Sequence, residues 1–235
     1  SILVPEALLG VASVGVLHAS LRRTLRLGWV APITFTERQA HWAALAGAAT
    51  MALTPAAVLM FRFNNPDALL VFCLTLASYF TVRACERASR RHLVYAGIAI
   101  GFGFLTKMLQ AFVILPALVV AYLVAAPATW KKKLVDLLAA FAAVIVSAGW
   151  YVAIVELMPT SMRPYIGGSQ TNSFLELAIG YNGLGRITGD EVGSVGAQRG
   201  PGVGTESLTR LFSGVSGGMI SWLIPAALIL GAGAL

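Results

Sequence analysis

Read from its N-terminal end, the chain alternates long apolar stretches with short clusters of basic residues. Positions 2–17 are apolar and lead into "HASLRRTLR", with Arg22, Arg23 and Arg26. The next segment, "LGWVAPITFTERQAHW", mixes tryptophan and charge in the way that suits a membrane interface. Ala43 to Met60 is apolar again, interrupted at Thr54–Pro55, and Ala68 to Val82 leads to a second basic cluster, "RACERASRRH". A third cluster, "WKKK", spans Trp130 to Lys133, and Leu134 to Val155 follows it as another apolar run. None of these stretches shows the period-2 alternation of a membrane β-barrel. Several are long enough for a helix to cross a ~30 Å hydrocarbon core, which takes about 20 residues. The pattern predicts an all-α fold, a polytopic transmembrane helical bundle with about seven segments.

The basic clusters orient the bundle. Under the positive-inside rule they mark cytoplasmic ends, so His92 to Thr129, lying between two of them, must cross an even number of times. A helical hairpin fits, with its turn near Thr106 to Leu109. Lys107 then sits at the outer end, on the same side as Arg62 to Asp67. One long tilted helix with a lysine in mid-membrane would break the charge rule. After Leu134 to Val155 crosses outward, the chain becomes polar and glycine-rich. This predicts a transmembrane core over 1–155, a long external loop over 156–218 and the start of a further helix over 219–235. Within the loop, Pro164-Tyr165, Asn172-Ser173 and "FLELAIG" are compatible with order, whereas Gly189 to Gly204 reads as a flexible insertion. No internal repeat is evident, so an inverted-repeat transporter has no support.

Composition agrees with this reading. Of 235 residues, 57% are hydrophobic and 11% charged, against about 25% charged in soluble domains. The net charge of +7 would suit nucleic acid, but its residues fall in the loop clusters, and no nucleic-acid partner is expected. Cys73 and Cys85 lie on one predicted helix, roughly 18 Å apart along its axis, and cannot pair with each other. They read as small apolar helix residues.

The stretch "MFRFNNPDALLVFC" carries the first candidate chemistry. Asn64 or Asn65 can cap the following helix, Pro66 can occupy its first turn, and Asp67 complements the positive end of its dipole. Capping leaves "FRFNN" unexplained, because polar groups at membrane depth are costly and tend to mark substrate or ion sites. Arg62 is suited to bind a phosphate bidentately, and Asp67 to orient a sugar hydroxyl or stabilise a cationic donor. Lys107 is either a lysine snorkelling at a helix end or a point charge for a lipid-linked phosphate. Gly101 and Gly103 would allow close backbone approach beside it. In the external loop the candidates are Arg163, Tyr165, the anion-cradling "GGSQTNS", and "GYNGLGR" with Tyr181, Asn182 and Arg186. Asp190-Glu191 lies in the least ordered-looking stretch and is not assigned a catalytic role. His18, His41 and His92 have no metal-ligand spacing, and nothing here assigns a metal or other cofactor. No Walker loop, dinucleotide fingerprint or Ser-His-Asp grouping is present.

"RFNNPD", "GFLTK" and "GYNGLGR", in that order, resemble the bacterial membrane glycosyltransferases of the protein O-mannosyltransferase and lipid A aminoarabinose transferase family. That family has the GT-C fold. The matching segments run from about Ala52 to Gly189, and the nearest likeness is to its dolichyl-phosphate-mannose–protein mannosyltransferase branch. The resemblance implies an inverting transfer of sugar from a polyprenyl-phosphate donor to a protein, glycan or lipid acceptor, on the extracytoplasmic side of a bacterial plasma membrane. It places Asp67 at the family's second acidic position, Lys107 at the lysine of its "LTK" segment, and Arg163 to Arg186 in the loop that closes over the donor. The family's first external loop, with its acidic base, has no counterpart in these residues. The chain is therefore expected to be the middle of a longer enzyme, inactive alone. Two other readings use the same polar residues: a lipid-binding or flippase-like transporter, and a non-catalytic helical subunit of a larger membrane complex.

Overall fold

A computed structural model describes residues 3–27 and 35–184. Seven helices follow in order: α1 Leu3–Arg26, α2 Glu37–Leu53, α3 Pro55–Met60, α4 Asp67–Arg87, α5 Arg90–Lys107, α6 Leu115–Ala125 and α7 Trp130–Leu157. A 3-10 turn, Met108–Phe112, continues α5, and a short turn at Phe174–Glu176 runs into a π-helical stretch, Leu177–Leu184. Among the described residues there is no strand. Four segments are long and apolar enough to cross a membrane: α1, α4, α5 with its continuation to Phe112, and α7. The all-α polytopic bundle expected from the apolar runs is the architecture found.

Of the hairpin expected over His92 to Thr129, the turn is found at the 3-10 stretch between α5 and α6, but only the first limb is long enough to cross a membrane. The second limb is short, because α6 has only 11 residues. The crossing expected at Ala43 to Met60 is split into α2 and α3 at Thr54, after which Pro55 opens a new helix. The run from Met219 to Leu235 lies outside the described residues.

Small residues bring the helices together, as they must where lipid removes the hydrophobic drive between helices. α2 lies on α1, α1 on α4, α4 on α5 and α5 on α7, with α6 against α4. The buried face of α2 is Ala40, Ala44 and Ala48, one residue per turn. On α4 and α5 the corresponding residues include Ala77, Ala84, Ala96 and Ala99. Glycines mark a close approach between α5 and α7. There a Cβ at Gly97 would run into the backbone carbonyl of Ala140, and one at Gly101 into Val144 and Ser147. The two expected close-approach glycines thus serve packing: Gly101 against α7, Gly103 beside Ala111 and Cys73. The outward stripe of α7, including Leu138, Phe141, Ile145 and Ile154, is more than half exposed among the described residues and forms an apolar surface suited to lipid.

Polar clamps close the end that carries the basic clusters. Asp136, completely buried on α7, accepts hydrogen bonds from Arg90 Nε at 2.6 Å, Lys132 Nζ at 2.5 Å and Tyr122 Oη at 2.8 Å. One carboxylate thereby joins α5, α6 and α7. Lys132 also donates to the carbonyl of Ala88, which turns the chain from α4 to α5 in a left-handed conformation (φ 47°). Both cysteines are free and buried, as small apolar helix residues would be.

Candidate functional site

At the other end of the bundle, Asp67 opens α4 and Lys107 closes α5. Antiparallel packing of these two helices puts the residues side by side, and Lys107 Nζ donates to Asp67 Oδ1 in an ion pair. Both side chains remain about one-third exposed, so the pair can be reached from outside.

The loop before Asp67 is folded by Asn65. Its amide donates to the carbonyls of Met60 and Phe63, both at 2.9 Å, while its Oδ1 accepts the Asp67 N–H at 2.7 Å. Asn65 therefore satisfies a first-turn N–H from one residue before Pro66, the residue that stands at the cap position itself. Asn64 is exposed and does not share this bonding. Phe61 turns inward against Gly10 of α1, where a Cβ would lie 2.8 Å from the ring. Arg62 is exposed and lines a largely apolar groove between α1 and the α2–α3 break. Its guanidinium has no hydrogen-bond or ion-pair partner among the described residues.

The residue after Lys107 is conformationally strained. Met108 has φ 52° and ψ −131°, a backbone region that L-residues seldom adopt. Packing holds it there, because Met108 and Phe104 lie against a cluster of Val155, Phe174 and Ala178. Phe104 stacks on Phe112 at 5.3 Å and meets Phe174 edge-on at 6.3 Å. Through these aromatic contacts the segment after α7 folds back onto the Lys107 end of the bundle.

That segment is organised by two carboxylates that the sequence reading did not single out. Glu156 accepts from Ser173 Oγ at 2.7 Å, the Leu175 N–H at 3.0 Å and Arg163 at 3.0 Å. Arg163 further donates to the carbonyls of Met158, Glu156 and Asn172, and is only 11% exposed. It works as an internal staple. Asn172, at φ 56°, accepts the Ile166 N–H at 2.7 Å. The cradle expected in "GGSQTNS" exists, but the anion in it belongs to the chain. Glu176 takes hydrogen bonds from Ser169 Oγ at 2.5 Å, Thr171 Oγ1 at 2.6 Å, and the N–H groups of Thr171 and Gln170. These donors, the Ser169 and Thr171 hydroxyls foremost, pull the Glu176 carboxyl down to about 2. The signal was available: a Ser/Thr-rich turn followed by a glutamate at a helix start is a capping pattern, and Ser173 Oγ accepts from the Glu176 N–H.

Of the other expected site residues, Tyr165 is 89% exposed on this segment. Tyr181 and Asn182 fall in the π-helical stretch, whose backbone touches the 3-10 turn beyond Lys107. Arg186, Asp190, Glu191 and the Gly189–Gly204 insertion lie outside the described residues. His18 and His41 meet edge-on at 5.2 Å, but no group of three or more metal-binding side chains occurs among the described residues.

Asp67, Lys107, Arg62 and the folded segment after α7 thus form one polar end on an apolar bundle. Comparison with known proteins gives the chain a family. The chain is 45% identical over 194 residues to YkcB and 41% identical over 194 residues to YycA, both of Bacillus subtilis (strain 168) and both bearing the word mannosyltransferase in their names. Each match covers 82% of this chain but only about a quarter of the relative. No solved structure matches it. The family model described as dolichyl-phosphate-mannose-protein mannosyltransferase matches residues 1–151, and the chain belongs to that family.

Proposed function

We propose that this chain forms part of a glycosyltransferase that moves a sugar from a polyprenyl-phosphate donor to a protein, glycan or lipid acceptor. The site is the Asp67–Lys107 end, at the outer face of a bacterial plasma membrane, with 1–155 as membrane core and 156–218 as the external loop. The observation that carries the reading is the Lys107–Asp67 pair, held at the mouth of an apolar bundle beside a folded polar loop.

The chemistry follows from the charges. The acceptor oxygen, its proton taken by the first-loop carboxylate that the family resemblance implies, attacks the anomeric carbon as the bond from that carbon to the phosphate oxygen breaks, with inversion, and negative charge grows on the departing lipid phosphate. Lys107 supplies a fixed ammonium against that charge, the kind of preorganised electrostatic stabilisation that dominates many such steps. Asp67 holds the ammonium in place and is positioned to orient a donor hydroxyl. Arg62, with its free guanidinium, is a second phosphate ligand on the same side. An apolar groove along α4 and α5, lined from Leu69 and Phe102 near the ion pair to Phe80 and Tyr95, has a volume of about 440 Å³ and suits an isoprenoid chain. Asn64, Tyr165, Tyr181, Asn182 and Arg186 are the remaining candidates for sugar or acceptor contacts. Arg163 acts on the site through the loop that it staples.

The test is transfer by the full-length protein from a radiolabelled polyprenyl-phosphate sugar. Transfer should occur in the wild type and fall in Lys107→Ala and Asp67→Asn. Full activity in both variants rejects these residues while leaving the family assignment intact. Donor cross-linking without any product would instead favour a lipid-binding transporter.

A further inference from the structure

The end opposite Asp67 and Lys107 holds a second polar cavity, of about 520 Å³, lined by Arg23, Arg83, Glu86, Arg87, Ser89 and His92. α4 separates the two sites by its 21 residues. At 1.5 Å per residue that is about 30 Å, the thickness of the hydrocarbon core, so the cavity belongs to the opposite membrane face.

Three guanidinium groups and one carboxylate line it, and two of the arginines reach the carboxylate. Arg23 donates to Glu86 at 2.8 Å, and Arg83 Nε stands 3.8 Å from the other oxygen of Glu86. Arg83 also donates to the Tyr79 hydroxyl at 3.2 Å, and the Arg23 and Arg83 guanidinium carbons lie 5.8 and 6.0 Å from the Tyr79 ring centre. These contacts leave hydrogen-bonding capacity over. Arg83 Nε is enclosed without a hydrogen-bond partner. The Arg87 guanidinium has neither a hydrogen-bond nor an ion-pair partner among the described residues. Ser89, at the cap position of α5, forms no cap bond, and its Oγ lies instead 2.9 Å from His92 Nδ1. The first N–H groups of α5 thus add unfilled donors at the cavity edge.

Arg87 is exposed and Arg23 and Arg83 are each about one-third exposed, so the cavity opens to its surroundings, yet the three share one cavity and Arg83 Nε is enclosed without a hydrogen-bond partner. Three cations and one carboxylate leave an excess of positive charge that a further anion would offset. Guanidinium forks match the oxygens of phosphate, and basic pockets between transmembrane helices favour anionic headgroups. We propose that this cavity binds a phosphate group, with Arg83 and Arg87 as its principal ligands, and that the phosphate is the headgroup of an anionic phospholipid in the adjacent leaflet. The proposal is independent of the sugar-transfer reading. Inorganic phosphate would engage the same donors, so the test must separate the two sources.

The full-length protein is placed in nanodiscs of phosphatidylcholine, with and without phosphatidylglycerol, and retained lipid is counted by native mass spectrometry. The wild type should retain phosphatidylglycerol, and Arg87→Gln should hold it about tenfold more weakly, the effect of one lost charge-assisted contact. The Arg87 side chain makes no hydrogen bond or ion pair among the described residues, so this variant removes no bond that shapes the cavity. Arg83→Gln should act in the same direction. Lys131→Gln, which changes an exposed charge at the same end outside the cavity, should leave retention unaltered. Equal retention by wild type and Arg87→Gln overturns the proposal, and so does an equal loss in Lys131→Gln, which would reduce the effect to general surface charge. Stabilisation by millimolar inorganic phosphate in phosphatidylcholine alone, with no further effect of phosphatidylglycerol, overturns the lipid assignment and leaves a free-phosphate site.

Discussion

Lys107 ends α5, Asp67 begins α4, and the two meet in an ion pair across the open end of the helix pair. The carboxylate lies at the positive end of the α4 dipole and the ammonium at the negative end of the α5 dipole, so each charge is favoured where it stands even before they meet. Under the proposed function, a donor phosphate arriving at this end would meet an ammonium already positioned and about one-third exposed.

Loss of that ammonium should slow transfer far more than it weakens donor binding. Lys107→Ala is expected to reduce kcat by about 10²–10³-fold, the range for removing one stabilising group from a developing oxyanion. Asp67→Asn keeps the side-chain shape but frees Lys107, and should lower kcat less. Steady-state assays of both variants with the same labelled donor check the order.

The contact between α5 and α7 depends on Gly97. Gly97→Ala drives a methyl into the Ala140 carbonyl and should destabilise the bundle by about 1–3 kcal/mol, the usual cost of overpacking. Gly15→Ala on α1, where nothing lies within 4 Å, should be neutral or stabilising by about 0.5–1 kcal/mol. Thermal unfolding in one detergent compares them, and equal Tm values would refute the close-approach account.

Asp136 clamps the opposite end. Asp136→Leu leaves Arg90 and Lys132, each about half exposed, free to turn toward water. The completely buried Tyr122 hydroxyl has no such escape, so the expected loss is about 1–3 kcal/mol. Tyr122→Phe should cost less, because Asp136 keeps two charged donors. Restoration of stability when Tyr122→Phe is added to Asp136→Leu, measured by thermal unfolding, would identify the orphaned hydroxyl as the cause.

Acid should loosen the loop through Glu176. Its carboxyl sits at about 2 in the fold, below the ordinary 4.5, so its contribution is complete above pH 4.5 and fades as pH falls toward 2. Carbon-13 NMR of glutamate-labelled protein should show one carboxyl titrating well below the rest. Glu176→Gln should remove that resonance and increase proteolysis between Met162 and Phe174 several-fold at neutral pH, an effect of losing charge-assisted bonds. Unchanged cleavage would exclude Glu176 as the organiser of the turn.

Local order along the chain determined much of this protein. Apolar runs long enough to cross a membrane and basic clusters between them specify the helical bundle and the shared end at which Lys107 and Asp67 fall. These are properties of segment length, periodicity and charge, which require no knowledge of partners. Tertiary structure decided which charges neutralise each other: Lys107 with Asp67, Asp136 with Arg90 and Lys132, Arg163 with Glu156. It also decided that the anion in the "GGSQTNS" turn is Glu176, and that Gly97 and Gly101 serve α7. Such pairings depend on distances across helices far apart in sequence, where a side chain meets whichever group packing brings to it. A residue pattern can show that a lysine needs an anion; only the folded bundle shows that it already has one.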